Sequence, residues 1–139
     1  MKRITRRATT VALATAAVTM GAVGVASANA PGGSETCPSG AFCVYYNSWQ
    51  YGWGAFDTFY SNGGGWLNLN NSNIYFRYPG SNSSGYNDMV YHNVAAFVNN
   101  TGETWTLCTD NMNWCENYAP GAAGNVSSSI HNADGWIYG

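Results

Sequence analysis

Past position 7 the 139-residue sequence has no lysine and a single arginine, Arg77. Phosphate recognition needs clustered Lys and Arg, so nucleic acid and anionic lipid are excluded as partners of this part of the chain. Leucine and isoleucine are also scarce. After residue 28 only Leu67, Leu69, Leu107, Ile74, Ile130 and Ile137 occur, so other side chains must supply a core. No segment there carries a sustained apolar stripe at i, i+3, i+4 and i+7, which argues against a helical domain. Neither G-x-S-x-G nor H-E-x-x-H occurs, and His92 and His131 are the two histidines. Nothing marks a nucleophile with a positioned base and an orienting group, so no enzyme and no cofactor is expected.

What is present begins with a leader. Lys2, Arg3, Arg6 and Arg7 precede a small, apolar stretch from Ala8 to Ala26, followed by Ala26-Ser27-Ala28 and Ala28-Asn29-Ala30. These are the three parts of a secretory signal peptide. Thr15 and Thr19 interrupt the stretch and no stop-transfer charge follows it, which disfavours a membrane anchor. Cleavage at Ala28–Asn29 is preferred, because the other site would put Pro31, with its fixed φ, just after the cut. The product is expected outside the cell with no membrane association. Removing residues 1–28 leaves 111 residues, with Arg77 against seven carboxylates and a formal charge of −6.

All 21 aromatic residues lie in residues 29–139. That content excludes disorder, and the length suits one domain burying roughly two-thirds of its unfolded surface. Short β-prone runs alternate with Gly, Asn, Ser and Pro clusters. Strands are predicted at Phe42–Tyr46, Ala55–Tyr60, Ile74–Tyr78, Val94–Asn99, Thr104–Thr109 and Trp136–Tyr138, with a hairpin turn at Asn99–Glu103. In Thr104–Cys108, Trp105 and Leu107 alternate with threonines, the period of a strand with one buried face. The class expected is an antiparallel all-β sandwich or barrel.

The four cysteines form two close pairs, Cys37 with Cys43 and Cys108 with Cys115. Four cysteines allow three connectivities, and proximity in an oxidising compartment favours the two local disulfides. Zinc is the rival, but structural zinc sites use C-x₂₋₄-C knuckles and these gaps are longer. A degenerate repeat matches His92–Val98 with His131–Ile137, Pro79-Gly80 with Pro120-Gly121, and Cys43…Trp49 with Cys108…Trp114. Residues 29–139 therefore read as one domain of two units, about 37–98 and 105–138.

At these residues the chain resembles a known family. Cys37–Asn47 (CPSGAFCVYYN), Val94–Gly102, the Cys108 strand and Ala119–Asn125 are similar to small secreted actinobacterial proteins of the metalloproteinase-inhibitor family, which have a βγ-crystallin fold. The resemblance implies a double Greek-key antiparallel sandwich and an extracellular protease, most naturally a metalloprotease, as partner. It makes the loop Cys108, Thr109, Asp110, Asn111, Met112, Asn113, Trp114, Cys115 the inhibitory loop, with Cys108–Thr109 as the reactive bond. A clipped loop loses little entropy on docking. Two departures stand out: Thr109 and Asp110 follow the bond where thermolysin-like enzymes prefer a bulky apolar residue, and the loop is longer.

The alternative is a non-inhibitory calcium or glycan module at the cell surface. The family's calcium signature begins at Asn87-Asp88 but lapses at Tyr91-His92, and Gly124–Ser129 supplies only its later half. No metal site is complete, and turn chemistry explains these Asn and Ser residues. Trp49, Tyr51, Trp53, Trp66 and Trp114 are candidate sugar-stacking rings, or else packing residues.

Overall fold

A computed structural model describes residues 37–61, 63–71, 73–78 and 82–139; the signal-peptide reading and the Pro79-Gly80 landmark fall outside these. Among the described residues eight strands form: β1 (Phe42–Tyr45), β2 (Phe56–Phe59), β3 (Trp66–Asn68), β4 (Ala96–Asn99), β5 (Trp105–Thr109), β6 (Cys115–Tyr118), β7 (Ala123–Asn125) and β8 (Asp134–Tyr138). They make two four-stranded sheets of order β2-β1-β4-β7 and β3-β8-β5-β6. Every strand pairing is antiparallel. The fold is thus all-β, with two antiparallel sheets and two disulfides, Cys37–Cys43 and Cys108–Cys115. Among the described residues no helix is long and apolar enough to cross a membrane.

The third strand of each chain half sits in the other half's sheet: β3 borders β8, and β7 borders β4. Between the sheets lies a core of Phe42, Val44, Phe97, Trp105, Leu107 and Ile137 with their neighbours. Aromatics fill the volume that Leu and Ile do not. Phe42 stacks on Trp105 with ring centroids 5.0 Å apart, and Phe97 meets Tyr118 at 4.0 Å. Such pairs add about 0.5–1.5 kcal/mol each beyond the area they bury. A second cluster, including Tyr45, Trp53 and Phe56, covers the far face of the first sheet, so β1 and β4 are buried on both faces. Trp53 is therefore a core residue and not a ligand-stacking ring.

Several expectations are corrected. Asn99–Glu103 is no hairpin turn, because β4 and β5 belong to different sheets. The buried Asn99 carboxamide shapes this crossing, donating to the carbonyls of Glu103 and Tyr118 and accepting from the Thr101 N–H. The Ile74–Tyr78 segment forms only isolated bridges, Tyr75 with Met89 and Tyr78 with Phe56. It touches β2 only at Phe56 and otherwise bonds to the irregular segment 87–90, so no ladder extends along it.

The repeat also has a different register. Asn93 N–H donates to Val90 O, and Ala133 N–H donates to Ile130 O. His92 and Asn132 both take left-handed φ values, 62° and 61°. His92 thus corresponds to Asn132, one residue off the match with His131. Phe97 lies opposite Val44, and Ile137 lies opposite Leu107. Val44 therefore answers to Leu107, and the Cys43…Trp49 and Cys108…Trp114 match runs two residues off.

Candidate functional site

The β5–β6 hairpin projects the Cys108–Cys115 segment from one end of the second sheet. Cys108 and Cys115 are directly opposite in register, with Cα atoms 4.1 Å apart, so the disulfide crosses the hairpin at its neck. Beyond it, Thr109 N–H donates to Trp114 O at 2.9 Å, and Met112 N–H donates to Thr109 O at 2.9 Å. The Asn111 carboxamide oxygen accepts from Thr109 Oγ1 at 2.9 Å and from Asn113 N–H at 3.0 Å. This is the local bonding by which Asn favours turns. Met112 sits at the tip with φ 56°, and it and Trp114 are 41% and 54% exposed.

The structure divides the predicted loop. Cys108 is fully buried, Thr109 is half-buried, and both belong to β5. Asp110 through Cys115 are exposed. The Cys108–Thr109 bond lies inside a strand paired on both sides and cannot enter a protease cleft without unzipping the sheet. Asn111, Met112, Asn113 and Trp114 form the accessible surface.

Asp110 anchors the base. Its N–H donates to Ala133 O at 3.1 Å, and its carbonyl accepts from Trp136 Nε1 at 3.0 Å. Its Oδ2 accepts a short hydrogen bond from the Tyr91 hydroxyl. The His92 ring stacks on Tyr91 at 3.8 Å. His92 Nε2 stands 3.2 Å from the same Oδ2 but is not aligned for a hydrogen bond, so this is a close polar contact only. A register shift between β5 and β8 at Cys108/Thr109 leaves Gly135 unpaired, a bulge. Asp110 rests on that bare backbone. A recess of about 400 Å³ lies between the hairpin and the His92 and Asn132 turns.

The charges around the hairpin are unevenly tuned. The Tyr91 hydroxyl is shifted up, chiefly because it donates to the Asp110 carboxylate. Asp134, opposite Thr109, is buried and rises from 3.8 to about 7 through desolvation, against partial relief from backbone N–H groups. Its Oδ1 accepts from Val94 N–H, while Oδ2 is buried without a partner. Burial would also raise Glu116, but hydrogen bonds from Ser127, Trp114 and Tyr118 outweigh it and hold the carboxyl below its usual range. Glu116 thereby ties Trp114 to the sheet (Nε1 to Oε1, 3.3 Å).

The calcium-signature residues take part in local turn structure. Asn87 takes φ 68° in a turn, and Asp88 bonds backbone neighbours through both its N–H and its carbonyl. Ser127 shapes the turn before Ile130, with Oγ accepting from Ser129 N–H. Among the described residues no three His, Cys, Asp or Glu side chains gather as a metal would require. Of the candidate rings, Trp49, Tyr51, Trp66 and Trp114 are exposed. Sequence reasoning missed Tyr91, Asp134 and Gly135. Only Gly135 gave a signal, a glycine directly before the predicted Trp136–Tyr138 strand, where a bulge or a close approach is common. Comparison with family models, curated proteins and solved structures finds no match.

Proposed function

We propose that the exported chain is a non-enzymatic recognition protein of βγ-crystallin type, and that it inhibits an extracellular metalloprotease through the β5–β6 hairpin. The observation that carries this reading is the exposed tip, Asn111–Trp114, closed by a disulfide at its neck and fixed at its base by Asp110. A segment ordered before it meets its partner loses little freedom on docking, and the saving appears as affinity. Met112 and Trp114 supply the large side chains that act as anchors at interfaces. The basic leader supports export, and the exchange of β3 and β7 between sheets supports the paired Greek keys that the resemblance implies.

This mode differs from cleavage after Cys108. The tip is a tight turn with a left-handed residue, not an extended substrate mimic. Contact is therefore assigned to the tip, with Cys108–Thr109 as its support. The test is a titration of the oxidised protein against a thermolysin-type metalloprotease, with wild type beside a Met112→Gly/Trp114→Ala double variant. Inhibition by wild type that the variant loses supports the reading. No inhibition at micromolar protein refutes it.

A further inference from the structure

At the other end of β5 a second recess opens, and nothing in the hairpin reading uses it. Its walls are the end of β2 and the start of β3, which are edge strands of opposite sheets. Its volume is about 450 Å³, within the roughly 300–1,000 Å³ of small-ligand clefts. Trp105, itself buried, forms part of the floor. Gly65, on the lining, has nothing within 4 Å of where a β-carbon would stand.

Two exposed rings, Tyr60 and Trp66, line this recess, and a third, Tyr138, stands beside Trp66. Tyr60 is 52% exposed, Trp66 48% and Tyr138 38%. Trp66 and Tyr138 lie 5.1 Å apart with their planes at 43°. The Tyr138 hydroxyl backs onto Gly64, 3.0 Å from the position of a β-carbon there. A small domain short of aliphatic residues has reason to bury its aromatics, yet these three stand in solvent. Their polar edges are also unused: among the described residues, neither tyrosine hydroxyl nor the Trp66 indole N–H makes a hydrogen bond. No charged side chain lines the recess.

We propose that this groove binds a neutral, β-1,4-linked polysaccharide. A pyranose ring with equatorial hydroxyls presents a flat face of C–H bonds. Those weakly positive hydrogens suit the negative face of an aromatic ring, while the hydroxyls at the rim suit phenol O–H and indole N–H groups. An apolar ligand would leave the three polar edges unmatched, and an anionic polymer would find no cationic side chain among the lining residues. An added peptide strand would have only three or four residues of edge to pair with, and short edges resist such pairing. A second copy of a chain with a formal charge of −2 before leader removal, and more negative after it, is repelled by its like charge.

The experiment is retention of the oxidised, exported chain on insoluble cellulose and chitin, with carboxymethyl-cellulose as the anionic comparison and a cellohexaose titration for affinity. Trp66→Ala and Tyr60→Ala remove half-exposed rings, and near-ultraviolet circular dichroism checks that each variant stays folded. Retention on a neutral polymer is expected, weakened about tenfold or more by either substitution and unchanged by Trp114→Ala. Four results would overturn the proposal: no retention on either neutral polymer, equal retention of the variants, stronger retention on the anionic polymer, or loss through Trp114→Ala. A wild-type dimer that Trp66→Ala dissociates would overturn it as well. Because Trp66 and Tyr60 lie outside the hairpin, protease inhibition and glycan retention fail independently.

Discussion

A β-carbon on residue 135 would stand 2.5 Å from the Asp110 Cα and 2.9 Å from the Asp110 nitrogen. The neighbour is backbone, which cannot swing aside as a flexible side chain would. Gly135→Ala is expected to cost about 1–3 kcal/mol in urea unfolding, the usual range for overpacking, and to loosen the hairpin base. A variant as stable as the parent would mean that Asp110 is not held there. Asp134 acts through its proton. Its carboxyl binds that proton more tightly in the folded state (about 7) than at its ordinary value of 3.8. Asp57, raised to about 6 by burial against relief from the Thr58 N–H and Arg77, acts in the same direction. Between these values the folded state carries more protons than the unfolded one, so stability falls as pH rises from about 4 to 7 and then levels off. Glu116 acts oppositely, but only below the ordinary carboxylate range. Melting temperatures measured from pH 4.5 to 8 should decline in the wild type; in Asp134→Asn the decline should be shallower and end near pH 6, where only Asp57 still contributes. An unchanged slope in that variant would remove Asp134 as the cause.

The hairpin divides at its disulfide. On one side lie the strand residues Trp105–Cys108, locked in register with β6 and β8; on the other is a tip held by Asn111, Asp110 and the Glu116–Trp114 contact. Replacing both Cys108 and Cys115 by serine is expected to cost about 2–3 kcal/mol, the loop-entropy value for so short a ring. A much smaller loss would show that β5–β6 pairing alone fixes the hairpin. Elements with strong local signals were legible in sequence: β1, β2, β4, β5 and β8 overlap predicted runs, though β8 begins at Asp134, two residues before its run. Three strands were not. Cys-Glu-Asn-Tyr in β6, Ala-Gly-Asn in β7 and Trp-Leu-Asn in β3 have little alternation, and all three lie at sheet edges. They are strands because a neighbour pairs with them, which no local pattern records. The disulfides followed from spacing in the chain. The anchoring of Asp110 did not, because Tyr91 is 19 residues away and the bulge at Gly135 depends on tertiary register.

At the scale of the whole molecule, one material shortage explains much of the design. With six Leu and Ile residues after position 28, the core is closed by Phe42 on Trp105 and Phe97 on Tyr118. The aromatic surplus then reaches the surface, at the hairpin tip through Trp114 and at the far groove through Tyr60 and Trp66. The exchange of β3 and β7 knits the two sheets together and gives a rigid base from which both surfaces project. In the proposed function, that base is what lets a short turn serve as a recognition element. The measurement that bears on this most directly is the residual activity of a thermolysin-type metalloprotease titrated with the oxidised protein. The account predicts stoichiometric loss of activity, retained by Trp66→Ala and abolished by Met112→Gly/Trp114→Ala. Full protease activity at micromolar protein, or inhibition untouched by changes at the tip, would contradict it.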